Sequence, residues 1–218
     1  IIFDIDATLV QTFFTRDDKA NLMNIHPNSE YYIAKTKKSN FIIFIRNYAH
    51  ILLRYCFEHF NVGIWSTGST NYINEILQHL LPTELYNKLN VIITRDRLTD
   101  KELVCKDTKN NKTFKLTNFN GSSAKYLDFL FNDKFYSKIF NKKNTLLIDD
   151  LSTNVSVNPL NSIFIPAYCY NKQDNVLFEL FLWLDSIKNT KNIQTKTKKF
   201  YKYDSDVKSV CVLKNSYK

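Results

Sequence analysis

The sequence predicts an α/β fold in which helices cover both faces of a central, mainly parallel sheet. Short apolar segments alternate with segments of helical periodicity along most of the chain. The central apolar segments contain almost no polar residues, which is typical of strands buried on both faces. Three of these segments also end in pairs of polar or acidic residues. This arrangement favours a parallel sheet with a functional edge.

The elements are predicted in order from their periodicity. Helices are predicted where apolar residues recur every three or four positions, at 41–60, 70–81, 122–131 and 174–187. Strands are predicted at short β-rich runs, at 1–3, 62–67, 91–94, 144–150 and 162–168. The segments 102–107 and 112–117 flank the polar tract TKNN, and this pattern predicts a hairpin within an insertion at roughly 95–121.

Composition indicates one globular domain with a basic extension. The 218 residues are 44% hydrophobic and 15% aromatic, enough to form a core and too apolar for a disordered chain. The formal net charge of +9 favours anionic partners such as phosphoproteins or nucleic acid. Many lysines fall late in the chain, so we predict a main domain over 1–187 and a basic appendage over 188–218 that could bind a polyanion. Because the chain begins at Ile1 rather than Met, we expect residues to precede it.

Cysteine and histidine placement excludes a zinc site of the common kinds. The four cysteines form no C-x-x-C pair, and the four histidines fall in no ligand spacing. We therefore expect reduced cysteines and an intracellular protein, nuclear or cytoplasmic. No apolar run reaches the ~18 residues of a membrane span, so none is predicted.

Acidic and hydroxyl residues follow three of the predicted strands. In parallel α/β sheets the carboxyl ends of the strands meet at one edge, where active sites lie. Four acids at that edge would repel one another and raise at least one pKa, unless a hard cation with oxygen ligands such as Mg²⁺ were bound. A carboxylate beside Mg²⁺ can attack phosphorus and form an aspartyl phosphate. The residues concerned are Asp4, Asp6, Ser66, Thr67, Asp149 and Asp150.

These segments resemble the motifs of haloacid dehalogenase-like (HAD) phosphotransferases. DIDATLV at 4–10 is similar to the first motif, IWSTGS at 64–69 to the second and LLIDD at 146–150 to the fourth. Within that superfamily the chain looks most like the small RNA polymerase II C-terminal-domain phosphatases and the NLI-interacting-factor-like branch. Three further residues match that branch, namely Arg46, Trp65 and Tyr72.

The resemblance implies a Rossmann-like HAD fold over 1–187, without a cap domain and with only a small β-hairpin insertion. It also implies a Mg²⁺-dependent phosphatase that acts through an aspartyl-phosphate intermediate. Asp4 would be the nucleophile and Asp6 the general acid and base, while Ser66 would bind a phosphoryl oxygen. A lysine would offset the charge of the intermediate. KYLDFL places it at Lys125, with Lys115 as the alternative.

The same resemblance assigns the remaining site residues. Mg²⁺ would be held by the Asp4 side chain, the Asp6 carbonyl and the acidic pair. Substrate-binding roles fall to the residues that flank the motifs, Thr8, Thr67 and Arg46. The expected metal ligands are Asp4, Asp6, Asp149 and Asp150.

The chain also departs from the branch. Ala7 stands where Glu is common, Asn47 follows Arg46 where Pro is common, and no Pro follows the acidic pair. A missing cap leaves the site open to large substrates, so a phosphoserine or phosphothreonine protein is the preferred substrate. Two alternatives remain at this point. One is a polynucleotide 3′-phosphatase, and the other is a weakly active or inactive scaffold of the kind found in nucleocapsid assembly, which would make the protein viral and virion-associated.

Overall fold

The fold is described from a computed structural model, over residues 1–15, 31–35, 40–98, 102–117, 124–169 and 173–196. Its strands within these ranges are β1 (Ile2–Phe3), β2 (Val10–Thr15), β3 (Tyr31–Lys35), β4 (Asn40–Ile45), β5 (Gly63–Ser69), β6 (Val91–Leu98), β7 (Glu102–Asp107), β8 (Lys112–Thr117), β9 (Leu147–Asp149) and β10 (Ser162–Phe164). Its α-helices there are α1 (Ala49–His59), α2 (Thr70–Leu80), α3 (Thr83–Lys88), α4 (Asp128–Asn132), α5 (Ser152–Ser156) and α6 (Val176–Ile187). Short 3₁₀ turns occur at Tyr136–Lys138 and Ile193–Thr195.

A seven-stranded sheet forms the centre of the protein. Its strand order is β10-β9-β1-β5-β6-β7-β8, parallel from β10 to β6 and antiparallel through β7 and β8. β1 is the middle of this arrangement, since Ile2 pairs with Gly63 on one side and Leu147 on the other. The carboxyl ends of β9, β1 and β5 therefore lie side by side.

Two apolar clusters cover the two faces of the sheet. The larger one packs α1, α2 and α6 against the sheet, through residues such as Leu53, Ile76 and Leu180. The second joins Trp65 and Leu147 to α4 and to the buried Tyr136. Burial on both faces explains why the central strands contain so few polar residues.

The predicted fold class is confirmed. The mixed, mostly parallel sheet is flanked by helices, and the predicted hairpin is β7–β8, which extends the sheet. A second, three-stranded antiparallel sheet in the order β2-β4-β3 lies apart from it. No cap domain occurs in the described part of the chain.

The boundaries of two predicted helices are wrong. Residues 41–45 form most of β4, and only Ala49–His59 is helical in the segment predicted as one helix. The five consecutive apolar residues 41–45 are all buried and pair with β2, and residues 41–44 also pair with β3. This burial and pairing outweigh the helical spacing that these residues share with residues further on. Likewise, the helix predicted over 122–131 begins only at Asp128.

Two other expectations can be compared with the structure. Cys56 and Cys105, both predicted to be reduced, are buried free thiols. Most of the predicted basic appendage, from residue 197 onward, lies outside the described residues. Among the residues that are described, no helix is both long enough and apolar enough to cross a bilayer.

Candidate active site

Three of the predicted acids meet at the carboxyl edge of the sheet. Asp4 directly follows β1, and Asp149 is the last residue of β9, with Asp150 next to it. One carboxylate oxygen from each of the three lies within 4.8 Å of the others. Asp4 and Asp149 are buried and Asp150 is half-buried. We call these three residues the acid cluster.

Lys125 lies at the acid cluster. Its ammonium group donates to Asp4 Oδ1 at 2.5 Å and to Asp149 Oδ2 at 2.8 Å. The side chain is almost completely buried, since Lys125 as a whole is 1% exposed. The alternative, Lys115, is exposed on β8. Two salt bridges therefore hold the charge of Lys125 between two strand ends.

The charges of this group are not balanced. Burial raises the pKa of Asp4 to about 7, although the nearby Lys125 ammonium opposes this effect. Burial and the charge of Asp149 raise the pKa of Asp150 to about 6. Burial alone would lower the pKa of Lys125, but the Asp4 and Asp149 carboxylates raise it. Three carboxylates facing one ammonium leave two negative charges in excess when all are ionised.

Asp6 is held separately from the acid cluster, by hydroxyl groups. The Tyr72 hydroxyl donates a short hydrogen bond to Asp6 Oδ1, and the Thr12 hydroxyl lies 3.4 Å from the same oxygen. The hydroxyls of Thr12 and Tyr72 are themselves 2.6 Å apart. Burial raises the pKa of Asp6, and the hydrogen bond from Tyr72 partly offsets the rise. Asp6 therefore has neutral hydrogen-bond donors where Asp4 has a cation.

The predicted hydroxyl residues differ in their surroundings. Ser66 is buried in the middle of β5, and its Oγ accepts a hydrogen bond from the Gly68 amide at 2.9 Å. Because that contact uses a lone pair, the hydroxyl hydrogen can donate to a ligand. The Thr8 hydroxyl donates to Asp150 Oδ1 at 3.3 Å. Thr67 is half-buried next to Ser66.

Gly68 permits the close packing next to Ser66. A Cβ atom at this position would lie 2.8 Å from the Tyr72 ring and 2.9 Å from the Ile73 side chain. Any larger residue would push on Tyr72, which contacts Asp6. The lack of room for a side chain between these two residues thus explains the glycine of the second motif.

Arg46 lies just beyond β4, and its guanidinium contacts protein groups. It forms a two-point ion pair with Asp174, through Nε at 3.0 Å and Nη2 at 2.8 Å. It also donates to the Thr8 carbonyl at 3.1 Å and the Pro166 carbonyl at 2.9 Å. A weaker contact reaches the carbonyl of Ala7, whose backbone has a positive φ of 55°. These contacts connect the loop after β1 to the segments on either side of it.

Several residues at the site are not predicted from the sequence. Thr12 and Asp174 belong to no recognisable motif, and they reach Asp6 and Arg46 only through the fold. Asn154 and Asn158 surround Lys125, as described below. Their spacing of four residues directly after the acidic pair is the only signal in the sequence that could have found them.

Comparisons with known proteins show which family the chain is similar to. The family of NLI interacting factor-like phosphatases matches residues 1–194. The Danio rerio protein "Ubiquitin-like domain-containing CTD phosphatase 1" is 24% identical over 147 residues, which is 66% of this chain and 42% of the relative.

Two solved structures are also similar. Fcp1, an essential RNA polymerase II CTD phosphatase, is 18% identical with a TM-score of 0.51, over 86% of this chain and 50% of that one. A variant of fission yeast Fcp1 bound to beryllium fluoride is 17% identical with a TM-score of 0.48, over 77% of this chain and 41% of that one. The first likeness supports the fold. The chain spans half or less of the length of each of these relatives.

Proposed function

Because the chain belongs to the NLI interacting factor-like phosphatase family, we propose that it is a Mg²⁺-dependent protein phosphatase. The observation that carries this proposal is the buried Lys125 ammonium between Asp4 and Asp149 at the edge of a parallel sheet. A carboxylate that is fixed, buried and next to a positive charge suits a nucleophile whose product is a doubly charged phosphate. The reaction would be hydrolysis of a phosphate monoester.

In the first step, an Asp4 carboxylate oxygen attacks the phosphorus and the bond to the ester oxygen breaks. Asp6 donates its proton to the departing oxygen, which leaves as an alcohol. The raised pKa of Asp6 supports this role, because a general acid must hold its proton near working pH.

In the second step, Asp6 accepts a proton from water, and the water oxygen attacks the phosphorus of the aspartyl phosphate. The bond between phosphorus and Asp4 then breaks, which releases inorganic phosphate and restores the Asp4 carboxylate. Lys125 offsets the charge of the aspartyl phosphate, and Ser66 donates to a phosphoryl oxygen. Thr8 orients Asp150, with which it shares a hydrogen bond.

The acid cluster fits Mg²⁺. Its donors are all carboxylate oxygens, the ligands that this hard cation prefers, and two negative charges in excess require a counter-charge. Asp4, Asp149 and Asp150, with the carbonyl of Asp6, would hold the ion. When bound, it neutralises phosphoryl charge and aligns the phosphoryl group with the nucleophile.

For the substrate we propose phosphoserine or phosphothreonine in a protein. Two relatives are named as CTD phosphatases, and the described residues contain no cap that would enclose a small metabolite. An open site binds a macromolecule better, because contacts beyond the phosphate contribute binding energy. The net charge of +9 favours phosphorylated, acidic segments. We also propose an intracellular location, nuclear or cytoplasmic, where such a substrate would be found.

The test is hydrolysis of p-nitrophenyl phosphate with Mg²⁺ and with EDTA. We expect turnover only with Mg²⁺, and a higher kcat/KM for a phosphopeptide than for sugar phosphates or for an oligonucleotide with a 3′-phosphate. Equal rates in EDTA would exclude the metal's role, and a preference for the oligonucleotide would make the protein a polynucleotide phosphatase. A folded protein without any turnover would favour the scaffold.

A further inference from the structure

Lys125 lies in a segment without regular structure. Residues 124–127, which include Lys125, form neither strand nor helix, and α4 begins only at Asp128. Yet its ammonium reaches two carboxylates at 2.5 and 2.8 Å while almost completely buried. A buried coil must satisfy its backbone N–H and C=O groups elsewhere. The groups that do so here come from the segment after the acidic pair.

Asn154 satisfies the N–H side of Lys125. Its Oδ1 accepts a hydrogen bond from the Lys125 amide at 3.0 Å. Its Nδ2 donates to Asp149 Oδ2 at 2.9 Å, the same oxygen that accepts from the Lys125 ammonium. One buried amide thus joins the backbone of the lysine to its carboxylate partner.

Asn158 satisfies the other side. Its Nδ2 donates to the Lys125 carbonyl at 2.6 Å, and its Oδ1 accepts from the Leu127 amide at 3.0 Å. The same Nδ2 also donates to the Asn154 carbonyl at 2.8 Å, which connects the two asparagines. Both residues are nearly inaccessible, with 2% and 8% exposure for Asn154 and Asn158.

Asparagine is suited to this task because its short side chain both donates and accepts. Aspartate at 154 could not donate to Asp149 and would add a like charge. We infer that Asn154 and Asn158 are positioning residues. They hold the Lys125 ammonium at Asp4 and Asp149 by forming hydrogen bonds with the backbone N–H and C=O of Lys125. The kinetic consequence of this inference rests on the proposed phosphatase function.

The experiment compares Asn154→Ala and Asn158→Ala with Asn161→Ala as the matched control. Asn161 is also buried, and its Nδ2 donates to two backbone carbonyls, those of Lys142 and Thr145. All three variants should lose a comparable amount of thermal stability. Only the first two should lower kcat, by about 10–100-fold, the usual cost of losing a partner that orients a site residue. KM should change little, because the substrate's own contacts are intact.

A second measurement does not depend on activity. In ¹⁵N-labelled protein, a buried and hydrogen-bonded ammonium exchanges its hydrogens slowly, so Lys125 should give an NMR signal that Lys125→Met removes. We expect Asn154→Ala and Asn158→Ala to shift or abolish this signal and Asn161→Ala to leave it in place. If the alanine variants do not fold, Asn154→Ser and Asn158→Ser are measured in the same way.

The outcomes separate this inference from the proposed function. A wild-type protein without turnover would contradict the phosphatase proposal, and the ammonium signal alone would then decide about the asparagines. An unchanged signal in both variants would overturn the positioning role, whatever happened to kcat. An equal loss of kcat in Asn161→Ala would also overturn it, since the effect would then follow stability alone.

Discussion

The two buried cations of the site, Lys125 and Arg46, are equally inaccessible but differ in what surrounds them. Each residue is 1% exposed, and each forms a two-point interaction with carboxylates. The carboxylates at Lys125 belong to the acid cluster. The carboxylate at Arg46 is Asp174, outside that cluster, and its other partners are backbone carbonyls.

This difference indicates two tasks for buried charge. In the proposed reaction Lys125 would offset charge on the reacting groups, so its removal should affect chemistry first. Arg46 holds the loop that contains Ala7, a non-glycine residue with positive φ, so its removal should affect the fold first. The motif resemblance assigns Arg46 to substrate binding, whereas the contacts of Arg46 favour a role in holding this loop.

Asp4→Asn should abolish turnover while the protein stays folded. An amide is a poor nucleophile, so kcat should fall by roughly 10³-fold or more, which is about 4 kcal/mol in the barrier. Thermal denaturation should show no large loss of stability, because Lys125 keeps its contact with Asp149. Activity within tenfold of wild type would exclude Asp4 as the nucleophile. It would also contradict the view that Lys125 lies among reacting groups.

Arg46→Met should have the opposite profile. It leaves the Asp174 carboxylate, whose side chain is only 10% exposed, without its cation, and such a loss typically costs about 3–5 kcal/mol of stability. The melting temperature should fall by about 10 °C. Lys188→Met is the control, since its ion pair with Asp185 is on the surface and should contribute at most about 1 kcal/mol. A variant with an unchanged melting temperature but a raised KM would instead support a substrate-binding role for Arg46.

The contrast also shows what the sequence could and could not predict. Strand-end acids follow from apolar runs that stop at Asp4 and Asp149, because a parallel sheet aligns its carboxyl ends. The motif resemblance identifies Lys125, whereas the helical periodicity does not place it correctly. The helix predicted over 122–131 begins only at Asp128 in the structure. Partners such as Asp174 and Asn158 could not be predicted, because their contacts depend on tertiary folding of segments distant along the chain.

At the acid cluster, which Lys125 contacts, the affinity for Mg²⁺ should increase with pH. The pKa values of Asp150 and Asp4, about 6 and about 7, mean that protons compete with the ion below neutral pH. The dissociation constant should fall by up to about tenfold per pH unit for each proton displaced, and level off above pH 7. Calorimetric titration between pH 5 and 8 measures it. A pH-independent affinity would show that these carboxyls do not hold the metal.

The same shifts predict the stability of the protein in EDTA. Because the folded-state pKa values of Asp4 and Asp150 lie above the ordinary value of 3.8, the folded state binds more protons than the unfolded state between about pH 4 and 7. The free energy of unfolding contributed by these groups should therefore decrease as pH rises through that interval. Added Mg²⁺ should restore stability at pH 7 and have little effect at pH 5. Stabilisation by Mg²⁺ of equal size at both pH values would contradict the assignment.

The smallest expected effect concerns Asp6, the acid that neither cation contacts. Tyr72→Phe removes the hydroxyl that donates to Asp6 Oδ1 and leaves the ring in place. One hydrogen bond of this kind is worth about 1 kcal/mol, so kcat should fall roughly fivefold. The loss should be larger for an alkyl phosphate than for p-nitrophenyl phosphate, because only a poor leaving group depends on a well-oriented acid.

Tyr136→Phe is the matched control. Tyr136 packs in the second apolar cluster and donates a similar bond to the buried Asp107, which does not belong to the acid cluster. This variant should lower the melting temperature and leave both rates unchanged. Equal losses for both substrates in Tyr72→Phe would mean that Tyr72 supports the loop rather than the orientation of Asp6.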